Sequence, residues 1–122
     1  MGDRASVVFF DAYCVSPTIY LHWHGSVVPI WLDELKLRME GRFSDASYAA
    51  ARFVGICHQH IDGNLSLGIY SNAYRRCDLQ DAHAMRMASP GNAGIVVVNT
   101  CDFSWRAYGG YLTDYTTERN TI

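Results

Sequence analysis

Thr18-Ile19-Tyr20-Leu21-His22-Trp23-His24-Gly25 is the stretch on which the fold turns. Residues 18–24 alternate, with Ile19, Leu21 and Trp23 on one face and Tyr20, His22 and His24 on the other, which is the period of a half-buried β-strand. Upstream, Ser6-Val7-Val8-Phe9-Phe10 is β-branched and aromatic, the composition of a buried strand. Asp11 to Pro17 reads as a turn, so the two segments are expected to pair as an antiparallel hairpin with a generous loop. Downstream, Gly25 ends the strand and Pro29 stands where the first turn of a helix accepts proline. Val28, Trp31, Leu32, Leu35 and Met39 then follow the i, i+3, i+4, i+7 stripe of a helix. Glu34 and Arg38 pair at helical spacing on its other face, and Gly41 stops it.

A second helix is expected from Ala46 to His58, capped by Ser44 or Asp45, with a stripe of Ala49, Phe53, Ile56, Cys57 and His60. Gly55 inside it costs about 1 kcal/mol relative to alanine, which predicts something large packed against it. Asp62-Gly63-Asn64 is a turn and Leu65 to Tyr70 a strand. Residues 71–93 are less regular: Asp78 to Ala88 suits a short helix, ended by Ser89-Pro90-Gly91-Asn92. So long a connection is a candidate lid or binding loop. Gly94 to Asn99 and Phe103 to Tyr108 form a second hairpin, with Phe103, Trp105 and Ala107 opposite Ser104, Arg106 and Tyr108. Tyr111 to Thr116 is expected as an edge strand whose few charges favour sheet extension across a homodimer. The order β-β-α-α-β-(α)-β-β predicts an α+β fold: an antiparallel sheet of about five strands with two helices on one face, residues 1–122 forming one domain.

Composition narrows the class further. A chain of 122 residues can build one core without staples. With 49 % hydrophobic, 18 % charged and 13 % aromatic residues it is neither a disordered tail nor a coiled coil. A net charge of −2 supplies no basic field for a polyanion. No apolar stretch approaches the roughly 18 residues of a membrane span, and the N-terminus lacks a signal-peptide pattern, so a cytoplasmic protein without membrane association is expected. Cys14, Cys57, Cys77 and Cys101 form no C-x-x-C pair and read as reduced, mostly buried thiols. Lys36 is the only lysine against nine arginines. That imbalance fits either a surface for planar, bidentate contacts or the coding bias of a GC-rich genome.

The sharpest chemical feature is a pair of H-x-H elements, His22-Trp23-His24 and His58-Gln59-His60. Converging imidazoles from His22, His24, His58 and His60, completed by Asp62 or Cys57, would make a Zn²⁺ or Fe²⁺ site. The simpler alternative needs no cofactor: His58 and His60 suit a helix C-terminus, and His22 and His24 suit the solvent face of a strand. Cys57 beside His58 is not a nucleophile–base pair, because successive helix residues face apart. There is no G-x-S-x-G elbow, and Tyr108-Gly109-Gly110-Tyr111 matches no phosphate-binding loop. Tyr70, Tyr74, Arg75 and Arg76 are the one basic and aromatic cluster, and the acidic balance favours a protein partner for it over nucleic acid.

Tyr20-Leu21-His22-Trp23-His24-Gly25, followed by Pro29 and an amphipathic helix, resembles a signature of small phage and mobile-element proteins, Tyr-x-His-Trp-Asp-Gly-x-Pro. The likeness spans roughly residues 6–60 and includes Tyr48-Ala49-Ala50-Ala51-Arg52-Phe53 in the second helix. His24 replaces the aspartate, and three residues rather than one separate Gly25 from Pro29. The resemblance implies a mobile-element origin and carries no activity. Three functions are therefore weighed. The first is a non-enzymatic interaction or accessory protein using Tyr20, His22, Trp23, His24, Tyr70, Tyr74, Arg75 and Arg76. The second is a metal-dependent enzyme or metal-binding protein using the four histidines, and the third a small-molecule binder capped by residues 71–93.

Overall fold

The computed structural model describes residues 2–61, 66–71 and 74–114. Along the chain lie β1 (Ala5–Phe10), β2 (Thr18–Leu21), α1 (Val28–Arg38), α2 (Ala46–His60), β3 (Leu67–Tyr70), α3 (Ala82–Ala88), β4 (Gly94–Asn99) and β5 (Ser104–Tyr108). Short 3₁₀ turns at Gly25–Val27 and Asp78–Gln80 precede α1 and α3. The strands form one sheet in the order β3-β2-β1-β4-β5.

The α+β class and the element order agree with the sequence reading, but the sheet is mixed rather than antiparallel. β1 pairs antiparallel with β2 (Val7 opposite Ile19) and parallel with β4 (Val7 opposite Val96). The crossover explains the difference. β3 runs the same way as β1, and so does β4, so the chain must return along the sheet between them. A parallel return needs roughly a dozen residues or more. Residues 71–93 supply it, and they carry the 78–80 turn and α3 across the second face.

The sheet is consequently covered on both sides, not one. On the first face α1 and α2 pack against Val7, Phe9, Ile19, Leu21, Val96 and Val98, burying Leu35, Met39, Phe53 and Ile56 completely. On the second face Leu79 and Met85 cover Val8, Phe10, Ile95 and Val97. β1, buried at all six positions, sits between the two cores.

Local rules account for most boundaries. Asp45 caps α2 by accepting the Tyr48 N–H at 2.9 Å, and α2 runs two residues past His58 to His60. Asp81 caps α3 through the N–H groups of His83 and Ala84, breaking the expected 78–88 helix into a 3₁₀ turn and a helix. Asp11 gathers three backbone donors, from Tyr13, Cys14 and Ala46, and so ties the β1–β2 turn to the start of α2. Gly94 has φ +107°, and a Cβ there would run into the Tyr108 carbonyl, so glycine lets β4 enter the sheet beside β5.

Several expectations need correction. The second strand ends at Leu21, so the alternation fails at Trp23, which is half exposed instead of buried. Gly55 has open space beside it, not a large neighbour. Only Cys57 is buried; Cys14, Cys77 and Cys101 are exposed, and all are free thiols. Over residues 111–114 the chain forms a turn and one helical turn rather than the edge strand, and residues 115 and 116 lie outside the described residues, as does Leu65 of the third strand. Among the described residues no helix is long and apolar enough to cross a membrane.

Candidate functional site

The second face of the sheet is only partly roofed. Pairing places side chains in rows: Phe10, Asn99 and Ser104 form one, Val8, Val97 and Arg106 the next, and Ser6, Ile95 and Tyr108 a third. α3 and the 78–80 turn lie over β1 and β4, leaving Ser104 and Arg106 of β5 exposed, while Tyr108 packs against the second core. A groove of about 300 Å³ results. Its floor is Phe10 and Val97, one wall is Leu79 and Gln80, and the other is Ser104, Arg106 and Tyr108, with Asn99 and Trp105 completing the lining.

The floor is held firmly. Thr100 donates both its N–H and its hydroxyl to the Phe10 carbonyl at 3.0 Å, and its own carbonyl accepts the Ser44 N–H at 2.9 Å. Ser16 exchanges bonds with Phe9 through its hydroxyl and its backbone N–H. The polar groups around the groove differ in freedom. Ser104 donates its hydroxyl and its N–H to Asp102, and those bonds hold the Asp102 carboxyl below the usual carboxylate range. Asp78 is likewise held low, by the backbone N–H and guanidinium of Arg75. Arg106 takes part in none of the ion pairs among the described residues. The Arg76 guanidinium lies 6.0 Å from the centre of the Phe10 ring, which brings a second positive charge towards this end of the sheet.

His58 and His60 stand in the last turn of α2, as expected of a helix C-terminus, and the four histidines have different partners. His22 shares a hydrogen bond with the Tyr20 hydroxyl at 2.9 Å and meets the Trp23 ring edge-on. His24 bonds Ser66 at 2.7 Å and stacks on Trp31 of α1, with ring centres 5.8 Å apart. His60 stacks on Trp31 as well, at 5.6 Å, and reaches Glu34 at 3.3 Å. His58 is exposed on α2. Trp31 thus brings His24 and His60 into one stack, while His22 turns to Tyr20 once the strand has ended. Among the described residues no three His, Cys, Asp or Glu side chains are grouped to hold a metal ion, and Asp62 lies outside those residues.

Of the other expected surface residues, Tyr70 is half exposed at the edge of the sheet, Tyr74 packs against the second core, and Arg75 is paired with Asp78. The motif glycine has a structural duty: Gly25 donates its N–H to the Asp3 carbonyl, and Ser26 donates to the Asp3 carboxylate. Tyr111 donates to the same carboxylate at 2.5 Å; burial, then that bond and charge, push its hydroxyl up to about 12. Sequence reasoning missed Phe10, Gln80, Asn99 and Arg106 as one site. The alternation of Ser104, Arg106 and Tyr108 was the visible signal, but nothing local says what lies across from it.

Comparison with protein-family models, with curated proteins and with solved structures finds no match to this chain.

Proposed function

We propose that the protein is a small-molecule-binding domain whose site is the groove between the 78–80 turn and β5. The observation that carries the reading is the groove itself: about 300 Å³ of space over an apolar, hydrogen-bond-anchored floor, lined also by two amides and a guanidinium. That volume is at the small end of ligand sites, and the mixture of apolar surface with a few polar groups is their usual chemistry. The crossover segment 71–93 then serves as the wall of the site, the part foreseen for a lid or binding loop. The groove is favoured over a protein-binding surface at Tyr20, His22, Trp23, His24, Tyr70, Tyr74, Arg75 and Arg76. In that set His24 is bonded to Ser66, Tyr74 packs against the second core and Arg75 is paired with Asp78, so these three are engaged with residues outside it. A mobile-element accessory role, suggested by the resemblance, is compatible with a ligand-binding domain and adds no further chemistry.

The test is a nuclear magnetic resonance titration of the full chain with a library of one- and two-ring fragments. Binders should move the amide signals of Leu79, Gln80, Asn99 and Ser104 to Tyr108. Ser104→Phe, which fills the groove from an exposed strand position, should abolish those shifts and leave the fold intact. A library with no binder, or binders clustered elsewhere, overturns the reading.

A further inference from the structure

We infer that the groove selects flat, apolar molecules carrying one carboxylate, with Arg106 as the group that reads the charge. The inference rests on the groove being a ligand site, and it goes further by naming the class of ligand.

Three observations carry it. First, the charge balance is one-sided. Among the described residues the lining holds a guanidinium and no carboxylate. The acids close to the lining along the chain are already supplied with donors, Asp78 by Arg75, Asp81 by the His83 and Ala84 N–H groups and Asp102 by Ser104. Asp11, next to Phe10 at the end of β1, accepts the N–H groups of Tyr13, Cys14 and Ala46. Arg76, on the Phe10 side, adds positive charge rather than cancelling it.

Second, Arg106 stands on a strand and not on a loop. It lies opposite Val97 in the ladder, between Ser104 and Tyr108 on the same face, so its backbone is set by pairing on its inner side. A guanidinium is a planar fork of N–H donors that matches the two oxygens of a carboxylate, and one held on a regular element loses less freedom when it binds.

Third, the surface next to that fork is flat and apolar. Phe10, Val97 and Leu79 supply it, and Tyr108 follows Arg106 on the same face of β5. Such a surface takes a ring, while the Asn99 and Gln80 amides offer donors and acceptors at its margin. A polyanion is poorly served, because the lining offers a single fork. A cation would meet Arg106 unscreened.

The experiment uses two probes of one shape, 2-naphthoate and its uncharged amide 2-naphthamide, titrated into the full chain while amide signals are followed. Naphthoate is expected to shift Gln80, Asn99 and Arg106 and to bind at least tenfold more tightly than naphthamide. Arg106→Gln, which removes the charge at an exposed strand position, should reduce that ratio to about one. Equal binding of both probes to the native chain overturns the charge selection and leaves the groove standing as a site. Absence of groove shifts with either probe overturns the selection and counts against the groove itself. Shifts centred on Arg75 or on the Trp31 stack would place the anion site elsewhere and overturn the role of Arg106.

Discussion

Gly25 has no room for a side chain. A Cβ at this position would stand 2.7 Å from the Ala93 Cβ and 2.9 Å from the Asp3 carbonyl, and neither belongs to a flexible side-chain end. Gly25→Ala should therefore force the Asp3–Gly25–Ala93 junction apart and destabilise the fold by about 1–3 kcal/mol. Gly55→Ala should do the reverse. Gly55 is exposed in the middle of α2 with nothing within 4 Å of its Cβ direction, so alanine gains helix propensity of roughly 0.5–1 kcal/mol without a clash. Urea unfolding of both variants checks the pair, and a loss of stability at Gly55 would show that something does pack there. The sequence reading assigned the close contact to the wrong glycine. It treated the one inside a helix as the crowded one, whereas crowding arises at Gly25 from Ala93, distant in sequence and brought there by the sheet. Propensity is local information and contact is not.

At the scale of elements, strand content and helix stripes were legible because each is written in a period. Strand direction is not written that way. One cue existed: Ser6 to Phe10 and Gly94 to Val98 are nearly continuous apolar runs, the pattern of parallel strands covered on both faces. β1 and β4 prove to be that pair. Asp11 shows how neighbouring elements are tied. Burial alone would raise its pKa, but the N–H donors of Ala46, Tyr13 and Cys14, with the charge of Arg76, outweigh burial and hold it below 3.8. A carboxyl whose folded pKa is depressed adds stability that is fully present above its unfolded value. The contribution is lost as pH falls from there through the folded value. Asp11→Asn should therefore lower stability near pH 7 by about 1–3 kcal/mol, the cost of weakening charge-assisted bonds to one buried and two partly buried donors. Below pH 4 the variant and the native chain should converge. Denaturant melts across pH 2–7 test this, and parallel curves at all pH values would show that the charge of Asp11 does no work.

The whole molecule has two cores on one sheet, and this arrangement explains why the groove was hidden in the sequence. Phe10, Leu79, Val97 and Arg106 come from four separate segments, and only the crossover through residues 71–93 sets them side by side. The same arrangement makes the single buried thiol a reporter for the entire fold. Cys57 lies in the first-face core with no exposed surface, and burial pushes its thiol up to about 12. The thiolate is the reacting species, so Cys57 should be silent towards a thiol reagent at pH 8 until the core opens. Cys14, Cys77 and Cys101 are exposed and should react at once. Ellman titration of the native chain is expected to show three fast thiols and one slow one. If the slow one reacts only through global opening, a ligand in the groove should protect it, although the groove is on the opposite face. Binding to the folded state alone stabilises it by about 2.7 kcal/mol at one hundred times the dissociation constant, which slows an opening-limited reaction about a hundredfold. Naphthoate at that excess should slow Cys57 by this factor and leave the exposed thiols unchanged. A Cys57 rate indifferent to a ligand that demonstrably binds would mean that α2 opens on its own, with the two cores uncoupled.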